Sequence, residues 1–153
     1  MDKSLLMEKF KVLIKQSELV FLSTVDCDGF PETRAMLNLR NEKMFPNLQQ
    51  YFKDGFVAYF SSNTASQKIN DILDNSKASA YYVNPKSAEG LLLKGNIEII
   101  KNNKLKKDFW QENWTAYYKY KGGAEDPFYS LLKFTPTEYK YYNGNFKVSC
   151  EML

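Results

Sequence analysis

Between Leu19 and Cys150 the chain breaks into strand-length segments joined mostly by turns too short for the crossover that parallel strands need. Strand patterns cover Leu19 to Val25, Pro31 to Arg40, a stretch beginning at Phe56, Lys77 to Val83 and Gly90 to Lys101. Three more cover Phe128 to Thr135, Glu138 to Asn143 and Phe146 to Cys150. Seven or eight such strands favour a closed antiparallel barrel with helices packed outside over an alternating parallel sheet. Three helices account for much of the rest. One is capped by Ser4 and carries Leu6, Phe10, Leu13 and Ile14 on one stripe; a second opens at Thr64; a third runs from Asn103 to Tyr118.

The length of 153 residues suits a single domain, 1–153, with no internal repeat, linker or low-complexity segment. Asp26-Cys27-Asp28-Gly29 reads as a hairpin turn. It is similar to the start of a calcium loop, but glycine falls at the fourth position and the later glutamate is missing. Gly95 marks a bulge or kink within its strand. Gly122-Gly123 lacks the Lys-Ser/Thr of a phosphate loop.

Absences exclude whole reaction classes. The sequence contains no histidine, so it can build neither a Ser-His or Cys-His nucleophile pair nor a histidine metal site. Cys27 and Cys150 form no CxxC pair, which fits a reduced, cytoplasmic protein without a metal centre. The N-terminal Met-Asp-Lys-Ser-Leu-Leu-Met-Glu is charged where a signal peptide is apolar, and no apolar run is long enough to span a membrane. Net charge is +3 with no long block of one sign, so nucleic acid is not an expected partner. The four lysines between Lys101 and Lys107 read as the solvated entrance to a helix.

The most chemically suggestive stretch runs from Phe56 to Pro85: a buried strand, a hydroxyl-rich turn, a short helix and another strand. Thr64-x-x-Gln67 has the form of a capping box, with Ile69, Ile72 and Leu73 at helical spacing behind it. Lys68 then sits in the first turn, where the helix dipole disfavours a cation by roughly 0.3–1 kcal/mol. An anion at the helix start would reverse that sign, because backbone N–H groups and Lys68 would both face it. Ser61, Ser62, Thr64 and Ser66 add donors, so the stretch reads as a phosphate-binding corner. The plainer alternative is an ordinary polar turn with Lys68 reaching into solvent.

A second candidate lies on the Pro31 to Arg40 strand. Alternation puts Glu32, Arg34, Met36 and Asn38 on one face and Thr33, Ala35, Leu37 and Leu39 on the other, with the second the better candidate for the core. Arg34 is then either a solvated outer residue or a rigid fork for a phosphate.

These two candidates belong to a longer set of motifs. It comprises Leu22-Ser23-Thr24-Val25-Asp26-x-Asp28-Gly29-x-Pro31, Thr33-Arg34-Ala35-Met36 and Tyr59-Phe60-Ser61-Ser62-Asn63-Thr64-x-Ser66-x-Lys68. It continues through Lys77-x-Ser79-x-Tyr81, Lys94-Gly95-x-Ile97-Glu98, Trp110-x-x-x-Trp114, Glu125-Asp126-Pro127 and Leu131-Leu132-Lys133-Phe134-Thr135-Pro136. In order and spacing they resemble the pyridoxamine 5'-phosphate oxidase-like FMN-binding split-barrel superfamily, in particular its general stress protein 26-like branch. The resemblance covers nearly the whole chain. It implies a mainly β protein, a six-stranded antiparallel split β-barrel with flanking helices, forming a homodimer with FMN at the subunit interface. Arg34 and Lys68 would match the family's phosphate-binding pair, with Ser66 and Gln67 beside them on the helix turn. Ser61 and Ser62 would lie along the isoalloxazine edge, and backbone groups of Ala35, Met36, Leu37 and Asn38 would line the ring's polar side.

Three departures narrow the implied activity. The oxidases carry Arg-Lys in the helix turn where this chain has Gln67-Lys68, so one cation is missing. They also end the Arg34 strand motif with a lysine used on the substrate phosphate, where this chain has Leu39. The chain also stops before the oxidases' extra C-terminal segment. The resemblance therefore implies an FMN-dependent oxidoreductase acting on some small molecule other than a vitamin B6 phosphate. The alternatives are a flavin-buffering stress protein with little turnover, or a split barrel holding a deazaflavin or haem, the last disfavoured without histidine. Trp110, Trp114, Tyr117 and Tyr118 form an aromatic band for packing or, alternatively, for covering a flavin or planar substrate.

Overall fold

The computed structural model describes residues 2–53, 55–118, 122–144 and 146–151. Seven strands form one antiparallel sheet: β1 Leu19–Val25, β2 Pro31–Leu37, β3 Ala58–Asn63, β4 Lys77–Asn84, β5 Glu89–Ile99, β6 Tyr129–Asn143 and β7 Phe146–Glu151. Six of them run in the order β2-β1-β4-β5-β6-β3, and β7 pairs with β6. The sheet curls until its end strands β2 and β3 approach, but among the described residues no ladder joins them. The half-barrel is therefore split between β2 and β3, not closed as turn lengths alone would have it. Each end strand keeps one backbone edge outside the ladder, and the two edges border the split.

Helices flank the sheet. Helix α1 covers Lys3–Gln16 and buries Leu6, Phe10, Leu13 and Ile14, the stripe read from the sequence. Its cap is Asp2, whose carboxylate accepts from Ser4 N, so Ser4 lies inside the helix rather than at its cap. Asn38 latches this helix to the sheet, donating from Nδ2 to Ile14 O at 2.6 Å and Ser17 O at 2.7 Å. Helix α2 covers Gln67–Asp74. The third predicted helix is broken: α3 covers Asn103–Phe109, Trp110 is extended, and a 3-10 turn (Glu112–Trp114) leads into α4, Thr115–Tyr118.

Two apolar clusters sit on opposite faces of the sheet. The inner one joins α1, α2 and the barrel lining around Phe10, Leu22, Met36, Phe60, Tyr82, Leu93 and Phe134. The outer one gathers Leu39, Phe45, Leu48, Phe109, Trp114, Tyr129 and Leu131 over the β3–β6 half. Met36 is buried in the inner cluster while Ala35 is exposed, so β2 presents the Arg34 face inward, the reverse of the expected assignment. Arg40, read as the end of that strand, is buried beyond it. Its Nη1 donates to Gly55 O (3.1 Å) and Val57 O (2.8 Å), and its guanidinium lies over the Phe52 ring.

The Asp26 hairpin is built as read. Asp26 Oδ1 accepts from Asp28 N and Phe30 N at 2.9 and 2.8 Å, and Gly29 takes the positive φ (86°) that the turn needs. The bulge falls between Lys94 and Gly95, where Gly95 pairs with Pro136 and Lys94 with Glu138, leaving Thr137 as the extra residue.

Candidate functional site

Arg34 and Lys68 come together. Arg34 projects from β2 toward the inner face, where Nη1 donates to Thr24 Oγ1 at 2.7 Å and Nη2 pairs with Glu32 at 3.3 Å. Thr24 is buried on β1, one alternation beyond Leu22. Lys68 approaches from the first turn of α2, and its Nζ donates to Ser66 Oγ (2.9 Å) and Ser62 Oγ (3.1 Å). Burial first, then the nearby Arg34 charge, push the Lys68 ammonium below its ordinary range, while Asp71 pulls the other way. Two cations thus share a half-buried corner with the Thr24, Ser62 and Ser66 hydroxyls and with the Glu32 and Asp71 carboxylates.

The start of α2 carries no side-chain cap. Ser66 is the N-cap, yet its hydroxyl makes no capping hydrogen bond and turns to Lys68 and Ser62 instead. The helix opens at Gln67, not at Thr64. Thr64 is held by β6: its N donates to Phe128 O at 2.8 Å and its Oγ1 shares a 2.7 Å hydrogen bond with Ser130. Those tertiary bonds displace the capping box, and Gln67 Nε2 donates to Asp71 Oδ1 at 3.1 Å.

The remaining expected site residues divide by position. Ser62 and Ser66 join the corner through their hydroxyls, with Gln67 beside them. Ser61 turns to the opposite face of β3 from Ser62, opposite Leu131 in the ladder. The side chains of Ala35, Met36 and Leu37 lie outside the corner: exposed, in the inner core, and against the outer cluster respectively. Asn38 spends its side chain on α1. Ala35, Met36 and Leu37 lie on β2, one edge of which borders the split, whereas Asn38 lies beyond it with its N–H donated to Glu18 O at 3.1 Å. Leu73, placed on the apolar stripe of α2, is exposed; its buried face is Ile69, Asp71 and Ile72.

Sequence reading missed Thr24 and Asp71, which form the floor of the corner. Asp71 carried a signal, an acidic residue between two helix positions that point to the core. The aromatic band divides as well. Trp114 is buried in the outer cluster, and Trp110 packs edge-on against it and against Tyr129 (centroids 5.9 and 5.0 Å). For Trp114 the packing reading holds; the side chains of Tyr117 and Tyr118 lie outside those described. Among the described residues no helix is long and apolar enough to cross a membrane.

An antiparallel sheet split between its end strands, with an inward arginine and a helix-start lysine near one another, defines a split-barrel protein with a cationic corner at the split. The chain belongs to the pyridoxamine 5'-phosphate oxidase family, whose model matches residues 6–143. No curated protein matches the sequence. Among solved structures it is similar to a Clostridium acetobutylicum protein related to general stress protein 26 of Bacillus subtilis. The two are 26% identical over 99% of this chain and 97% of that one, with a TM-score of 0.78. A pyridoxamine 5'-phosphate oxidase-related, FMN-binding protein of Nostoc punctiforme shares the fold at 13% identity (TM-score 0.57, 100% and 98% covered). So does an F420 reductase, at 21% identity (TM-score 0.59, 84% and 94% covered).

Proposed function

We propose that this chain binds FMN in the split between β2 and β3 and serves as an FMN-dependent oxidoreductase acting on a small molecule. The observation that carries the reading is the pairing of Arg34 with a Lys68 whose only hydrogen-bond acceptors among the described residues are the Ser62 and Ser66 hydroxyls. Like charges brought together in a half-buried place are stabilised when an anion lies between them. A phosphomonoester suits that donor set: a guanidinium fork, an ammonium, two hydroxyls and the uncapped start of α2. Arg34 and Lys68 would hold the phosphate, and the free backbone edges of β2 and β3 would supply hydrogen bonds along the ring. A bound flavin supplies hydride or electron transfer itself. The chain's part is to bind, orient and exclude water. Purified protein titrated with FMN should show a perturbed visible spectrum and a clear preference over riboflavin, which lacks the phosphate. Equal binding of the two would remove the phosphate assignment, and bleaching by NADH or NADPH would read reduction.

Vitamin B6 phosphates do not fit as substrates. Leu39, where the oxidases have a lysine, is 1% exposed and packs into the outer cluster, so it offers neither charge nor access.

The same reading makes the protein a homodimer with the flavin at the subunit interface. Supporting this, the outer face of β1 leaves Leu19 and Phe21 exposed, with exposed Ala35 paired opposite Phe21. Apolar side chains grouped on one sheet face are the kind of patch that a two-fold partner covers. Sedimentation at micromolar concentration with FMN saturating should return the dimer mass. A monomer mass would count against the interface site.

A further inference from the structure

The corner contains a charged residue that the preceding reading leaves unused. Asp71 lies on α2 three residues after Lys68 and is 2% exposed, between Ile69 and Ile72 on the buried face. A carboxylate in such a place costs roughly several kcal/mol unless donors and opposite charges offset it. Its oxygens have separate donors: Gln67 Nε2 reaches Oδ1 at 3.1 Å, and Thr24 Oγ1 reaches Oδ2 at 3.5 Å. Thr24 in turn accepts from Arg34 Nη1 at 2.7 Å. A chain of contacts therefore runs from α2 through β1 to the guanidinium on β2.

We propose that Asp71 is the positioning residue of the anion corner, holding Arg34 in place beside Lys68 through the Thr24 hydroxyl; this rests on the reading of Arg34 and Lys68 as a phosphate site. A hydroxyl has a single proton. With Asp71 taking it, the Thr24 oxygen is left as an acceptor facing Arg34. Asparagine at this position breaks the arrangement. Its oxygen stays with Gln67 and its Nδ2 is a donor, so the Thr24 proton loses the acceptor that fixed it and the hydroxyl can rotate away from Arg34.

Charge and position act here with opposite signs. Removing a negative charge near a bound anion strengthens binding by Coulomb's law, whereas releasing Arg34 weakens it. The test uses the full chain as wild type, Asp71→Asn, Thr24→Val and the double variant, each titrated with FMN and riboflavin. The preference for FMN should fall about tenfold in either single variant and no further in the double, because both break one chain of contacts. Riboflavin affinity should not change. Without flavin, the Arg34 guanidinium should give resolved, slowly exchanging nitrogen-bound proton signals in wild type, merged with those of mobile arginines in the variants. Tighter FMN binding by Asp71→Asn, or an unchanged preference with unchanged Arg34 signals, would overturn the proposal. A wild type without preference for FMN would sink the phosphate reading, and the Arg34 signals would still decide the role of Asp71. Should Asp71→Asn fail to fold, Thr24→Val carries the same comparison.

Discussion

Replacing Lys68 with alanine should weaken FMN binding about tenfold or more, and Arg34→Ala should do the same. Hydrogen bonds to charged groups contribute roughly 1.5–3 kcal/mol each, and about 1.4 kcal/mol is a factor of ten. A fluorescence titration giving one affinity for wild type and both variants would refute the assignment. The pH dependence has a definite sign. Burial and Arg34 hold Lys68 below its ordinary value of 10.5, and a bound anion favours the charged form. Binding is therefore linked to proton uptake by Lys68 at high pH. FMN affinity should fall as pH rises, beginning below the range where an unperturbed lysine titrates. Lys68→Ala should lose that part of the profile.

The second large effect concerns the barrel itself. Gly95→Ala should destabilise the protein by about 3 kcal/mol, lowering the melting temperature by roughly 6–12 °C for a chain of this size. A Cβ on Gly95 would sit 2.1 Å from Thr135 O and 2.6 Å from Pro136 Cα, both backbone atoms of the strand that closes the bulge. Neither can turn aside as a flexible side chain would. Gly29→Ala is the control. Its φ of 86° is strained for alanine, but nothing lies within 4 Å, so only the conformational cost of about 1–2 kcal/mol applies. Thermal melts in which Gly95→Ala is no worse than Gly29→Ala would show that the bulge is not as tight as described.

Legibility in the sequence followed the range of the forces involved. Local signals carried through: the Asp26 turn, the strand Leu19–Val25 and the α1 stripe are each set by neighbouring residues, and a lone glycine within a strand pattern marked the bulge at Gly95. Tertiary competition defeated the rest. Thr64 has the chemistry of a cap, but Ser130 and Phe128 offer it partners from β6. The helix expected through Trp110 breaks where that ring packs on Trp114 and Tyr129. Two predicted strands around Pro136 are one, because Pro136 falls at the bulge, between the part of β6 paired with β3 and the part paired with β7. No edge partner needs its missing N–H there. In the candidate site, Arg34 and Lys68 were legible because a cation on a strand and a cation at a helix start are each unusual. The face of β2 was not, since alternation separates two faces without saying which points inward. Thr24 and Asp71 were invisible as partners because 47 residues separate them.

The strand order also has a kinetic meaning. The β1–β2 hairpin that carries Arg34 closes over a five-residue turn, whereas β3 can join the sheet only by finding β6, with Ala58 opposite Phe134. Loop-closure entropy makes the first contact quick and the second slow, as in other domains rich in non-local strand pairs. Ser62 and the α2 that follows it are thus tied to a long-range ladder, while Arg34 belongs to a local hairpin. An anion that needs both halves of the corner binds the finished fold and not the partly folded chain, so it would draw the folding equilibrium toward completion by mass action.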